Sequence, residues 1–178
     1  MERIAQQLDG YGLKYTVVEA TGNIDGAHGL RMTMKRLFET TKEPEILVLE
    51  DDCCFLSNPI PAIERAQIEL PADYDLLFLG GNVYKPTVKH SEHLYRLTGC
   101  VGNHAVVYTR AVMDNLAYLY CTATKPTDVI IDKEIVSQGD CFITHPLLAV
   151  QYTGYSDIEG KKTDYKTLLI DRYHKNVG

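Results

Sequence analysis

Apolar residues recur along this chain with two periods, one helical and one extended, and the alternation between them lays out the elements. Ile4 and Leu8, four apart, predict a short helix over Glu2 to Leu8, ended by Asp9-Gly10-Tyr11-Gly12. Tyr15 to Val18 reads as a strand, and the glycine-bearing stretch from Ala20 to Gly29 as a loop. Leu30, Met34, Leu37 and Phe38 share one helical stripe and predict a helix from about Gly29 to Thr41. Ile46-Leu47-Val48-Leu49 is short and apolar enough for a buried strand, and it runs directly into Glu50-Asp51-Asp52. A proline-initiated helix follows near Pro59 or Pro61, ending near Leu70. Leu76 to Leu79 is a second buried strand, followed by Gly80-Gly81-Asn82.

Residues 83–97 are polar and mixed, a loop or a hairpin; His90 and His93 read as solvated rather than as a metal pair. His104 to Tyr108 is a strand, and Thr109 stands where it could cap a helix bearing Val112, Leu116 and Leu119. Val129, Ile130 or Ile131, Ile135 and Val136 predict another helix, capped by Thr127 or Asp128. Cys141 to Val150 holds one or two strands. The remainder, rich in tyrosine and lysine, is a tail that wraps the domain or closes over a ligand, or else a solvated extension.

Strands interleaved with helices over 178 residues predict one α/β domain, 1–178, with 152–178 as its C-terminal tail. The hydrophobic fraction of 45% and charged fraction of 24% are those of a soluble globular protein. A net charge of −6 argues against a nucleic-acid backbone as main partner. No apolar run approaches the roughly 18 residues of a bilayer span, and the first residues lack the apolar core of a signal peptide. Five cysteines, an odd number with no CxxC pair, fit reduced thiols and a cytoplasmic location. Neither a phosphate-binding GxxxxGK[ST] nor a GxSxG or HExxH motif occurs.

The candidate chemistry begins at Glu50-Asp51-Asp52. Adjacent carboxylates repel, and a divalent cation among them turns that repulsion into coordination. In open α/β sheets ligands bind past the carboxyl ends of strands. The three acids therefore read as a metal–diphosphate site, against the plainer reading of a solvated loop. Gly80 and Gly81 permit close backbone approach, either to a substrate or within a tight turn. Asp128 at a helix start is either a plain cap or a fixed carboxylate able to take a proton from an incoming hydroxyl. A basic side chain from the tail would neutralise a diphosphate.

In their order, several segments resemble glycosyltransferase family 25, the lipopolysaccharide and collagen galactosyltransferase-like group. They are Gly26-Ala27-His28-Gly29 with the helix after it, Leu47 to Asp52, Leu77-Phe78-Leu79-Gly80, Gly102 to Leu116, Pro126-Thr127-Asp128, and Pro146 to Gln151 with Ser156-Asp157-Ile158. Two features depart from that family. Its opening strand has no counterpart here, and Thr33-Met34 stands where members carry Ser-His. The resemblance implies a GT-A-like fold with a mostly parallel central sheet flanked by helices. It also implies a UDP-sugar donor, a carbohydrate or other hydroxyl acceptor, and Mn2+ or Mg2+ as cofactor. The cation would be held by Asp51 and Asp52 with His145 as an extra ligand. Glu50, Asp51, Gly80, Gly81, Asn82, Ser156 and Asp157 would surround the donor, and Asp128 would be the base of an inverting transfer. The competing expectation is a degenerate member that binds a nucleotide or a partner without turnover.

Overall fold

The computed structural model describes residues 2–22, 25–152, 154–156 and 161–177, with 154–156 and 161–163 by their backbone alone. In chain order the elements are α1 (Glu2–Gly10), α2 (Gly26–Thr40), β1 (Glu45–Leu49), β2 (Cys53–Phe55), α3 (Ile60–Glu69), β3 (Leu76–Val83), β4 (Val88–Lys89), β5 (Leu94–Arg96), β6 (Cys100–Thr109), α4 (Arg110–Leu119), α5 (Thr127–Ile131), β7 (Cys141–Thr144), β8 (Ala149–Gln151), β9 (Gly154–Ser156), β10 (Lys161–Thr163) and α6 (Tyr165–Asn176). A π-helical turn over Asp132–Val136 continues α5.

Six strands form one mixed sheet in the order β1-β6-β3-β7-β5-β4. β3 and β7 are parallel, and every other neighbouring pair is antiparallel. The expected mostly parallel sheet is thus a mixed one. Hydrophobic periodicity reports burial and not direction. The chain passes from β3 to β6 through the β4–β5 hairpin with no crossover helix, so β6 runs back against β3. Because β1 and β3 both run against β6, and β7 runs with β3, these three strands end on the same edge of the sheet.

Apolar layers cover both faces. On one, Met34 and Phe38 of α2, Val112, Met113 and Leu116 of α4, and Tyr108 pack together. On the other, Ile4 and Leu8 of α1 meet Cys53, Phe55, Leu77, Leu79 and Leu148. The small antiparallel pair β2–β8 lies with this second layer.

The apolar run before the acids is less buried than its composition predicts. β1 is the edge strand of the sheet, and Leu47 remains 37% exposed. Ile46 and Val48 pack on one core layer and Leu49 on the other. Tyr15 to Val18 form no strand: they are exposed and pair with no sheet edge, and strand propensity without a partner does not make a strand. α2 begins three residues earlier than expected, at Gly26, because Asp25 caps it by accepting from the Ala27 N–H at 3.0 Å. Gly80, Gly81 and Asn82, expected as a loop, belong to an eight-residue β3. Thr109 does precede α4, but its hydroxyl donates to the Asp75 carbonyl and accepts from no N–H of the helix.

The tail is no solvated extension. α6 and the residue after it bury Leu169, Tyr173 and Val177 in the first core layer. The Tyr173 hydroxyl donates to the Thr144 carbonyl at 2.9 Å, and the Asn176 amide donates to the Val83 carbonyl at 2.9 Å.

His90 and His93 do form a hairpin's turn, yet they are not simply solvated. The Glu69 carboxylate, at the end of α3, accepts from the Ser91 hydroxyl, from the His93 N–H at 2.9 Å and pairs with His93 Nδ1 at 2.6 Å. Those donors hold its carboxyl down to about 2. A carboxyl depressed in the folded state stabilises the fold above its unfolded value near 4.5, and that stabilisation is lost as pH falls toward 2. Glu69→Gln is expected to flatten the loss of thermal stability between pH 4.5 and 2 relative to wild type. Parallel melting curves across that window would show no dependence on Glu69.

Candidate active site

The acidic turn sits where β1 ends. Pairing of β1 with β6 continues one residue beyond the strand, since the Glu50 N–H donates to the His104 carbonyl at 3.0 Å. The turn is then clamped from the other side. Cys53 N–H donates to the Glu50 carbonyl, Tyr152 N–H to the Asp52 carbonyl at 2.8 Å, and the Gln151 amide to Asp52 Oδ2 at 3.0 Å. The β2–β8 pair thus fixes the three acids between two sheets. Asp51 is exposed, Glu50 and Asp52 are half-buried, and Asp52 Oδ1 is buried with no hydrogen-bond partner.

The electrostatics follow from that enclosure. Burial raises the Glu50 carboxyl to about 8, with the charges of Asp52, Asp128 and Asp51 pushing the same way. Glu50 is therefore largely protonated at neutral pH. Asp52 is also raised, chiefly by burial and then by Asp51, against the Gln151 hydrogen bond that lowers it.

Asp128 belongs to this group although it lies far along the chain, for its charge acts on Glu50. It is the second residue of α5, whose cap position is Pro126, and its Oδ1 accepts from the Val129 N–H at 2.8 Å. Neither Thr127 nor Asp128 holds the cap position, no side chain caps the helix, and the Asp128 carboxylate is fixed by its own helix. α5 in turn is tied down by the π-helical turn. There, buried Asp132 accepts from the Cys100 N–H at 2.9 Å and from the Tyr84 hydroxyl at 2.7 Å.

Gly80 and Gly81 share the edge but line no open space. A Cβ at Gly80 would lie 2.1 Å from the Ala149 carbonyl oxygen and 2.6 Å from His104 Nε2; one at Gly81 would lie 2.5 Å from Cys100 Sγ. Their close approach is to the protein itself. Asn82, half-buried, accepts from Arg172 Nη1 at 2.6 Å, which brings a guanidinium of α6 to the strand end. His104 is fully buried beneath, and burial lowers its imidazole to about 4, so it is neutral.

His145 closes β7 on the same edge, three strand spacings from β1 and so about 14 Å across the sheet. Its ring stacks on Tyr173. The Tyr173 hydroxyl gives its hydrogen to Thr144, so His145 Nδ1, 2.8 Å away, donates to that oxygen. The fold thus sets Glu50, Asp51 and Asp52 in one turn, lets the charge of Asp128 act on Glu50, sets Asn82 and His145 farther along the edge, and does not bring His145 to the aspartates of that turn. Ser156 lies in β9, described by its backbone, and Asp157 lies outside the described residues. Among the described residues no group of three or more His, Cys, Asp or Glu side chains is placed to hold a metal ion.

Two surface depressions lie elsewhere. One of about 350 Å³ is lined by Glu39, Lys42, Arg110 and Asp114, and another of about 280 Å³ by Asp75, Asn115, Glu134 and Gln138. Both open near the starts of β1 and β3, on the opposite edge of the sheet from the acids. Arg110 has a structural task there, donating to the carbonyls of Phe38, Thr41 and Glu43 and so closing the end of α2.

Three further residues carry no motif. Gln151 orients Asp52, Arg172 reaches Asn82, and Arg31 lies buried on α2. For Arg31 the signal was its spacing: residues 31, 34 and 38 form one stripe, so a charged residue shares the apolar face of the helix.

No family model matches the chain, and no curated protein matches it. Among solved structures, the chain is similar to A197 from STIV, with 14% identity over 87% of this chain and 82% of that one and a TM-score of 0.52. It also aligns with HddC from Yersinia pseudotuberculosis, with 10% identity, 98% and 72% coverage and a TM-score of 0.38. The first likeness is one of fold. The chain is an α/β protein with a six-stranded mixed sheet flanked by helices, and no helix among the described residues is long and apolar enough to cross a membrane.

Proposed function

We propose that this protein is a glycosyltransferase of GT-A type, moving a sugar from a UDP-sugar to a hydroxyl acceptor at the edge where β1, β3 and β7 end. One observation carries the reading. The turn after β1 holds Asp52, next to Asp51, through Gln151, with one buried Asp52 carboxylate oxygen lacking a partner, and the charge of a remote carboxylate, Asp128, acts on the neighbouring Glu50. Ligands of α/β sheets sit at such an edge.

The donor set suits Mn2+ or Mg2+ in the manner of cations bound by one or two carboxylates with substrate phosphates completing the shell. Asp51 and Asp52 would hold it, and it would supply Lewis-acid stabilisation of the departing diphosphate. Gln151 keeps Asp52 in one rotamer, and Arg172, held on Asn82, brings positive charge to the same edge. Asp128 would act as base. The acceptor oxygen attacks the anomeric carbon, the bond from that carbon to the diphosphate oxygen breaks, and the acceptor proton passes to the Asp128 carboxylate.

The test is calorimetric titration of UDP with and without manganese, on wild type and Asp52→Ala. Expected is manganese-dependent binding that the variant weakens by at least about tenfold, roughly 1.4 kcal/mol. Binding indifferent to both manganese and Asp52 would remove the basis of the proposal. A second reading, a binding protein without turnover, is favoured by two surface depressions lying on the opposite edge. Sugar release from a UDP-sugar panel separates the two.

A further inference from the structure

β1 is an edge of the sheet, and its register shows which backbone groups are spare. The Glu50 N–H donates to the His104 carbonyl at 3.0 Å, and the Arg110 N–H to the Pro44 carbonyl at 2.7 Å. Alternate residues of an antiparallel ladder bond to the partner, so Pro44, Ile46, Val48 and Glu50 face β6. The N–H and C=O groups of Glu45, Leu47 and Leu49 point the other way, and among the described residues none of them is hydrogen-bonded. Such an edge is a template for another strand, and proteins ordinarily blunt it with brevity, lysine or a bulge. The opposite edge is blunted in this way, for β4 has two residues and one is Lys89. β1 presents Ile46-Leu47-Val48-Leu49 in unbroken register, with Leu47 exposed beside the free groups.

The chain also carries strand formers without a sheet. Residues 14–20 are all exposed, and among the described residues no backbone N–H or C=O from Lys14 to Val18 is hydrogen-bonded. Tyr15 is 44% exposed and Val17 51%, side chains that suit a half-buried pleated surface. Nine large apolar side chains are exposed among the described residues, and four of them are Tyr15, Val17, Val18 and Leu47.

These two features stand on one side of the molecule. Leu13 packs on the second core layer. Glu19 is held on α2, where Arg36 Nη2 donates to its carbonyl, and α2 shares the first layer with Ile46 and Val48 of β1. Residues 14–18 thus cross from one face of the sheet to the other beside β1, without pairing to it.

We propose that the chain forms a two-fold dimer in which residues 14–18 of each protomer add as a strand to the β1 edge of the other. Each copy gives one strand and receives one, so the contact is isologous and closes on itself. Charge sets the direction. Antiparallel addition brings Lys14 toward the acidic turn at Asp51 and Glu19 toward Lys42, whereas parallel addition would set Glu19 against that turn. Pairing β1 with the partner's β1 about Leu47 would place Glu43 opposite Asp51 and leave Tyr15, Val17 and Val18 bare. The dimer does not rest on the transferase reading.

Sedimentation velocity on the full chain, from about 1 to about 300 µM, reads the equilibrium; two five-residue ladders make a small interface, so dissociation in the range of tens of micromolar, roughly, is expected. Thr16→Pro combined with Val17→Pro removes ladder donors on both sides of the segment and is expected to weaken the dimer at least about tenfold. Leu47→Lys puts a charge on the receiving edge and is expected to weaken it by about as much. Ile68→Ala, at an exposed apolar residue of α3, is expected to leave it unchanged. The proline variant mixed with Leu47→Lys is expected to associate more tightly than either does alone, because the mixed dimer keeps one intact ladder. Hydrogen exchange gives a second readout, which stands should Leu47→Lys fail to fold. The Leu47 and Leu49 amides of the wild type are expected to slow as protein concentration rises, and the Ile46 and Val48 amides, already bonded to β6, are not. A monomer at every concentration overturns the proposal. So does a dimer that the proline pair leaves intact, or one whose Leu47 and Leu49 amides exchange at the monomer's rate.

Discussion

Gly80→Ala is expected to leave little folded protein. The new methyl would meet the Ala149 carbonyl oxygen at 2.1 Å and His104 Nε2 at 2.6 Å, and the first of these is backbone. Real carbon–oxygen contacts do not approach so closely, so β8 must move away from β3. β8 cannot move alone. It pairs with β2 from Cys53↔Gln151 to Phe55↔Ala149, and the Leu148 N–H donates to the Leu79 carbonyl. The displacement therefore spreads into the second core layer and loosens the clamp on Asp52. Overpacking of this kind costs about 3 kcal/mol or more, a large share of the 5–15 kcal/mol that holds a typical domain together. Soluble yield and chemical denaturation report it. Gly22→Ala, where a Cβ meets nothing within 4 Å, is the control and is expected to change stability by less than about 0.5 kcal/mol. A Gly80→Ala protein as stable as the control would mean that β8 does not pack on β3 as described.

Glu50→Gln is expected to have the opposite sign. The folded protein holds the Glu50 carboxyl at about 8 against an ordinary 4.5, so its contribution to stability is fully present below pH 4.5 and is lost as pH rises toward 8. Above that range the protein must either ionise a crowded carboxyl beside Asp52, Asp51 and Asp128 or unfold. Glutamine keeps the shape and cannot ionise. The variant gains about 2 kcal/mol near pH 8, with allowance for the half-exposure of the residue, which is about 4–8 °C in Tm for a chain of this size. The decisive feature is the pH dependence: the difference between variant and wild type grows from pH 5 to pH 8. A constant difference would show that the neighbouring carboxylates do not act on Glu50. Stability gained by removing a group at a binding edge is the usual sign that the group was kept for function.

Much of the site was legible in residue order because it is local. Three consecutive acids after four aliphatic residues announce a strand that ends in a charged turn, whatever surrounds it, since the turn is built from neighbours in the chain. The helical stripe of Leu30, Met34, Leu37 and Phe38, the α/β alternation and the proline start of α3 are of the same kind: each is a period or a cap that a few adjacent residues impose. The role of the glycines was not legible. Gly80 signals close approach of something, and only the fold identifies it as Ala149, 69 positions away, instead of a ligand.

The amino-acid order by itself thus determined which segments coil, which extend and where carboxylates crowd together, because backbone propensity and side-chain periodicity act over a few residues. The tertiary structure decided the rest. It set strand direction, so that β1 became an edge and the sheet mixed; it let the charge of Asp128 act on Glu50; and it put the helix-borne charge of Arg31 inside the protein, against His28. Each of these depends on contacts between residues distant in the chain, formed when two apolar faces find cover, and no local pattern specifies which faces those are.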